Sequence, residues 1–269
     1  MKVFDRIENR LLHQIDRIYE RRLQAAADER HLACCRVVSH RGEHDGRIIR
    51  ENTLPAFDAA VALGVWGIEC DIRWTRDLAP VVIHDPDLRR VFGLPRVVAE
   101  CTLAELERDC PGLPTLAAVI ARYGGQVHLM VEVKQEPYPD PGRQNRILGD
   151  LFGQLTPGTD FHLLSLAPEM FRRTWFAPPA AYLPVARLNL LQLSRLALRQ
   201  GYAGVAGHYT LVRDGLIRRH HAAGQRIGTG YPRSMPVLFR ELNRQVDWIF
   251  SNHAGRIMQW MRALQRPGG

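Results

Sequence analysis

The stretch Trp66–Asp85, WGIECDIRWTRDLAPVVIHD, decides the fold. Its first nine residues alternate as a strand does, so Glu69 and Asp71 share one face while Ile68, Cys70 and Ile72 take the other. Only a few residues separate it from a second β-rich run, Val81 to Asp85. That is too short for a crossover helix, so the second run must return antiparallel. A turn centred on Asp77 and Leu78 would put Asp71 directly opposite His84, at a Cβ separation of roughly 5 Å.

Carried outward from there, the same reading finds β-rich runs at 36–39, 66–74, 127–134, 161–166, 182–188, 204–209, 226–231 and 248–252. Helical stretches lie between them. Thr53 caps one over Leu54 to Leu63 that stops at Gly64, and Thr115 caps another over Leu116 to Tyr123 that stops at Gly124. Strands alternating with helices at this length predict an α/β fold, a (β/α)8 TIM barrel over 36–269, whose chemistry collects at the carboxyl ends of the strands. The antiparallel hairpin follows the second strand. Residues 86–113 are expected to form a small insertion with a short helix near 103–108, capping one side of the mouth. Ahead of the barrel, residues 1–35 hold an amphipathic helix and lead-in, with Val3, Phe4, Ile7, Leu11, Ile15, Ile18 and Leu23 on one stripe. Such a helix packs on the main domain, forms a dimer contact or lies on a membrane surface. Residues 266–269 read as a frayed tail.

The chain has 269 residues, 46% hydrophobic, enough for one large domain, and a formal charge of +8 carried mostly by arginine. That charge points to anionic partners. Nucleic acid is disfavoured among them, because the aromatic residues are not interleaved with basic ones as a stacking platform requires. Five cysteines, an odd number without regular spacing, suggest neither a disulfide framework nor a zinc site. No signal peptide or membrane-spanning stretch is evident, so the expected location is cytoplasmic, with peripheral contact at the inner membrane face as an option for the N-terminal helix.

Polar residues at the strand ends carry the chemistry. Ser39-His40-Arg41-Gly42 follows the first apolar strand, Glu69-x-Asp71 lies in the second, and Met130-Val131-Glu132-Val133-Lys134 puts Glu132 and Lys134 on one face of the third. Buried carboxylates a few ångströms apart repel and raise one another's pKa unless a cation lies between them. Glu69, Asp71 and Glu132 offer oxygen donors without a thiolate, which selects a hard divalent ion, Mg2+ or Ca2+ with Mn2+ admissible, and disfavours zinc. His40 and His84 suit a general base and general acid, and Arg41 and Lys134 suit the charge on non-bridging phosphate oxygens. The bland alternatives are a turn histidine at either position, a carboxylate pair neutralised by arginines, and Lys134 merely balancing Glu132. Their joint occurrence at three strand ends and one hairpin weakens those alternatives.

In order along the chain, His40-Arg41-Gly42, Glu51-Asn52-Thr53 leading to Phe57 and Ala60, Gly64, Glu69-x-Asp71, Val81 to Asp85 and Glu132-x-Lys134 resemble the hallmark segments of glycerophosphodiester phosphodiesterases. The resemblance is close over 36–134 and holds elsewhere only in element order. It implies a barrel, a divalent cation on Glu69, Asp71 and Glu132, acid and base roles for His40 and His84, phosphate contacts from Arg41 and Lys134, and Glu51 as an accessory or supporting ligand. It also implies hydrolysis of a glycerol-3-phospho-alcohol, with a neighbouring glycerol hydroxyl attacking first and water opening the cyclic phosphate. Four departures alter the surroundings of the site. Arg50 stands where proline is common, the excursion after His84 lacks a Thr- and Gly-rich stretch, Gly228 to Tyr231 replaces a Trp-containing strand end, and Ser251-Asn252-His253 replaces a Thr-Asp-x-Pro ending. The expected substrate is a small phosphodiester in lipid metabolism. A second reading is lysophospholipase D action on lysophospholipids at a membrane, and a third is a catalytically silent phosphate-binding barrel.

Overall fold

The computed structural model describes residues 17–19, 21, 24–27 and 29–265. Among them, nine strands form one sheet. They are β1 (Arg36–His40), β2 (Gly67–Trp74), β3 (Pro80–Val82), β4 (His128–Val133), β5 (Phe161–Ser165), β6 (Tyr182–Ala186), β7 (Gly204–His208), β8 (Arg226–Gly230) and β9 (Trp248–Ser251). Each barrel strand runs parallel to its neighbours, and β1 pairs with both β9 and β2, which closes an eight-stranded (β/α)8 TIM barrel. The extra strand, β3, pairs antiparallel with β2. Helices α1 (Glu29–Cys34), α2 (Leu54–Ala62), α3 (Arg89–Phe92), α4 (Leu103–Asp109), α5 (Leu116–Tyr123), α6 (Pro141–Phe152), α7 (Leu190–Gln200), α8 (Asp214–Ala222), α9 (Met235–Asn243) and α10 (Ala254–Gln265) fill the crossovers and flanks.

Strand alternation sorts the core into two layers. Ile68, Cys70, Ile72, Val131 and Val133 pack outward against helices in one large cluster. Val38, Met130, Leu164, Leu183, Ala206, Trp248 and Phe250 fill the barrel interior below the mouth. The excursion between β3 and α5 has a satellite core of its own, in which Val81, Ile83, Leu88, Val98 and Leu106 hold α3 and α4 against the hairpin.

Both anticipated caps stand at helix N-termini. Thr115 accepts from the Ala118 N–H, whereas the Thr53 hydroxyl donates backward to the Arg50 carbonyl. The hairpin register departs by one residue from the expected one. Ile72 faces Val82 and Arg73 faces Val81, and the Ile83 N–H donates to the Asp71 carbonyl at 2.9 Å. It is therefore Ile83, not His84, that lies opposite Asp71. The cause is the turn, where Leu78 takes φ +67° and adds a residue to the loop, while the Thr75 N–H bonds to the Ala79 carbonyl. A one-residue slip exchanges the two faces of a regular strand. His84 still serves the interior end because the chain leaves the sheet after Val82.

The helix expected over 3–23 falls mostly outside the described residues, as does the tail at 266–269. Within them, residues 17–19 are helical, the Tyr19 ring stands edge-on to Tyr209, and the Arg240 guanidinium lies over Tyr19. No helix among the described residues is long and apolar enough to cross a membrane.

Candidate active site at the carboxyl ends of the strands

Parallel pairing sets Asp71 beside Glu132 and Glu69 beside Met130. Since Glu69 and Asp71 are two apart, all three carboxylates point into the mouth. They are buried, and one oxygen from each lies within 4.8 Å of the others. Burial drives Glu69 well above the ordinary carboxylate range, and the charges of Asp71 and Glu132 add to the rise. Burial also raises Glu132, against the pull of Lys134. Asp71 behaves oppositely: burial pushes its carboxyl up, but Lys134 and Arg41 outweigh burial and hold it below its usual value. The ammonium of Lys134 sits 2.5 Å from Asp71 Oδ1 and 2.7 Å from Glu132 Oε1. Buried Lys134 and part-buried Arg41 thus face three carboxylates, and Glu69 keeps the least compensation. An all-oxygen donor set with residual negative charge fits a hard divalent ion.

Arg41 follows His40 in the left-handed region, at φ +62°. That conformation turns its N–H onto Glu69, 2.9 Å from the carbonyl and 3.1 Å from Oε2. The next residue must be glycine: Gly42 has φ +79°, and a Cβ there would lie 2.7 Å from the Ala56 backbone in α2. The Arg41 side chain reaches Asp71 Oδ2 at 3.3 Å and Glu51 at 2.9 Å. Glu51 therefore does not join the carboxylate set. It pairs with Arg41 and with Arg90 of α3.

His40 closes β1. Its Nδ1 lies 2.5 Å from the Asn252 side-chain oxygen. Because that oxygen can only accept, Nδ1 carries the proton, and Nε2 turns its lone pair toward Glu69, 3.8 Å away. Burial, aided by Arg41, lowers its pKa to about 3, so the ring is neutral. His84 pairs with its neighbour Asp85, Nδ1 lying 2.7 Å from Oδ1, and its carbonyl accepts from Arg73 Nε at 2.9 Å. Burial lowers its pKa, Lys134 assists, and Asp71 opposes. His84 is thus within electrostatic reach of Asp71 and Lys134 despite the changed register.

Three residues of the network were not singled out as site residues from the sequence. Asn52, buried and at φ +56°, donates from Nδ2 to Asp71 Oδ2 at 2.7 Å and accepts the Asp71 N–H at 3.2 Å. Asn252 orients His40. Arg90 joins Glu51 to Asp85. The signal for Asn52 was its place in Glu51-Asn52-Thr53, and that for Asn252 its place in Ser251-Asn252-His253 after the last strand; Arg90 had none, being set by contacts distant in sequence. A cavity of about 230 Å³ opens beside His40, Glu69 and Glu132, and its lining mixes apolar side chains such as Leu164, Leu166, Val185 and Phe250 with Arg187, His208 and Arg233.

The glycerophosphoryl diester phosphodiesterase family model matches residues 40–148. YhdW of Bacillus subtilis, whose name places it provisionally among glycerophosphodiester phosphodiesterases, is 31% identical over 173 residues, 59% of this chain and 69% of that protein. A glycerophosphodiester phosphodiesterase of Caldanaerobacter subterraneus is 32% identical over 124 residues, 42% of this chain and 50% of its own length. Among solved structures, an Oleispira antarctica phosphodiesterase in complex with the product sn-glycerol-3-phosphate superposes with a TM-score of 0.69 at 21% identity, covering 86% of this chain and 98% of that one. At that identity the likeness establishes the shared barrel.

Proposed function

The chain belongs to the glycerophosphodiester phosphodiesterase family, and from that premise we propose that its barrel mouth hydrolyses glycerophosphodiesters to an alcohol and glycerol 3-phosphate. The observation that carries the reading is the convergence of three buried carboxylates on one point beside a neutral histidine. Glu69, Asp71 and Glu132 would hold a divalent cation, Mg2+ or Ca2+, which when bound supplies Lewis-acid polarisation of a non-bridging phosphate oxygen.

This chain's own residues do the rest. His40 Nε2, its proton kept on Nδ1 by Asn252, takes a proton from the attacking hydroxyl. His84 delivers one to the leaving alkoxide, Asp85 on Nδ1 offsetting part of the lowering that burial and Lys134 impose on its imidazolium form. Such groups each contribute roughly 10²- to 10⁴-fold. Arg41 and Lys134 bear cationic charge where phosphate charge develops. In the second half of the reaction the two histidines exchange roles as water opens the cyclic phosphate.

The lysophospholipid reading expected from the sequence leaned on the N-terminal helix, most of which lies outside the described residues. Phosphorus NMR of glycerophosphocholine and lysophosphatidylcholine, each incubated with protein in Mg2+ or in EDTA, tests the proposal and ranks the two substrates. Glycerol 3-phosphate formed from the first only with metal supports it. Phosphocholine as product, or turnover undiminished by EDTA, would overturn it.

A further inference from the structure

The excursion sends one side chain back across the mouth. Arg90, on α3, spans two carboxylates: its Nε is 2.5 Å from Asp85 Oδ2, and its terminal nitrogens are 2.8 and 2.7 Å from Glu51 Oε2 and Oε1. Each carboxylate has a second partner in the site. Asp85 Oδ1 holds His84 Nδ1 at 2.7 Å, and Glu51 Oε1 holds Arg41 at 2.9 Å, whose Nε lies 3.3 Å from Asp71. One guanidinium therefore joins the histidine side of the site to the arginine side.

We propose that Arg90 is a positioning residue of the reaction: by fixing the Glu51 and Asp85 carboxylates it orients the Arg41 guanidinium and the His84 imidazole. The proposal rests on the function given above. A rigid planar fork is the group that can hold two carboxylates at a set angle, which an ammonium cannot. The element presenting it is anchored, because Leu88 is buried in the satellite core, its N–H bonds to the Arg96 carbonyl at 2.9 Å, and Gly93 closes α3 at φ +73°. The Arg90 side chain is 49% exposed, whereas its partners Glu51 and Asp85 are only 12% and 23% exposed, so it reaches the site from the solvent side. A network that ends on two groups of the site is placed to act on the reaction.

His84 is faced by Asp85, Asp71, Lys134 and Arg41. Withdrawing the Arg90 charge leaves the Asp85 carboxylate wholly to His84, which favours the imidazolium and moves its titration upward.

The test compares wild type with Arg90→Gln, Arg90→Lys and, as control, Arg89→Gln, the exposed neighbour on α3. Three quantities are read: kcat and KM for glycerophosphocholine at saturating metal, the melting temperature, and the His84 titration by NMR of 13C-labelled histidine, assigned with His84→Gln. Arg90→Gln is expected to lower kcat about 10- to 100-fold, with a smaller change in KM, a melting temperature still well above the assay temperature and a raised His84 titration. Arg90→Lys should recover part of kcat, and Arg89→Gln should match wild type. An unmoved His84 titration, or a kcat loss no larger than that of Arg89→Gln, overturns the proposal. The titration decides the matter even if the wild type leaves glycerophosphocholine intact, a result that would count against the proposed function alone.

Discussion

Replacing Asn52 by alanine removes two contacts at once from the most buried carboxylate of the site. The first is the amide donor on Asp71 Oδ2 at 2.7 Å, a bond to a charged acceptor worth about 1.5–3 kcal/mol. The second is the acceptor for the Asp71 N–H at 3.2 Å, and a buried donor left unpaired costs about 1–3 kcal/mol. Alanine is also ill suited to φ +56°, which adds about 1 kcal/mol. The total is about 3.5–7 kcal/mol, and for a chain of this size each kilocalorie lowers the melting temperature by about 2–4 °C. Asn52→Ala should therefore melt at least about 7 °C below wild type by differential scanning calorimetry in EDTA. It should also bind Mg2+ or Ca2+ about 10- to 100-fold more weakly by titration calorimetry, because Asp71 loses the partner that aims it. A melting point within about 2 °C of wild type together with unchanged metal affinity would refute the view that Asn52 aims Asp71, since by these magnitudes neither loss could be so small.

Lys134→Met leaves Asp71 and Glu132 without their shared ammonium, which should cost about 3–5 kcal/mol in EDTA; a melting curve in Mg2+ should recover much of that, and equal losses in both buffers would contradict a cation-binding role for the carboxylates. Asn252→Leu deprives His40 of the acceptor on Nδ1 and should lower kcat about 10²-fold with little change in KM, as steady-state kinetics would reveal. At the opposite end of the barrel, His128 and His162 are buried and hydrogen-bonded to each other at 2.6 Å; burial lowers His128 to about 4 and His162 well below its usual value. Both are neutral when folded and titrate near pH 6.5 when unfolded, so their contribution is fully present above about pH 6.5 and is lost as pH falls toward 4. Urea midpoints should decline over that window, and less steeply in His162→Asn.

The barrel was legible because its strands are short, apolar and punctuated. Alternation alone placed Glu69, Asp71 and Glu132 on the interior face, and the paired register puts Asp71 beside Glu132. The hairpin register was not legible, because it turns on Leu78 at φ +67°, a conformation leucine rarely adopts and no residue there announced. Side-chain partners across the fold were hidden for another reason. Asn252 meets His40 across 212 residues and Arg90 meets Glu51 across 39, and local periodicity carries no information at those separations. Glu51 was expected to border the metal site as an accessory or supporting residue, and its contacts are two arginines, one of which reaches Asp71.

The central claim is that the carboxylates and His40 form one hydrolytic site. Its most direct test is the rate of glycerol 3-phosphate release from glycerophosphocholine by wild type, Glu69→Gln and His40→Gln, each stripped by EDTA and then restored with Mg2+ or Ca2+. The account predicts release by the wild type only after metal is restored, and at least a 10²-fold loss of kcat in both variants even with metal. Release by either variant at the wild-type rate, from protein confirmed as folded, would contradict it.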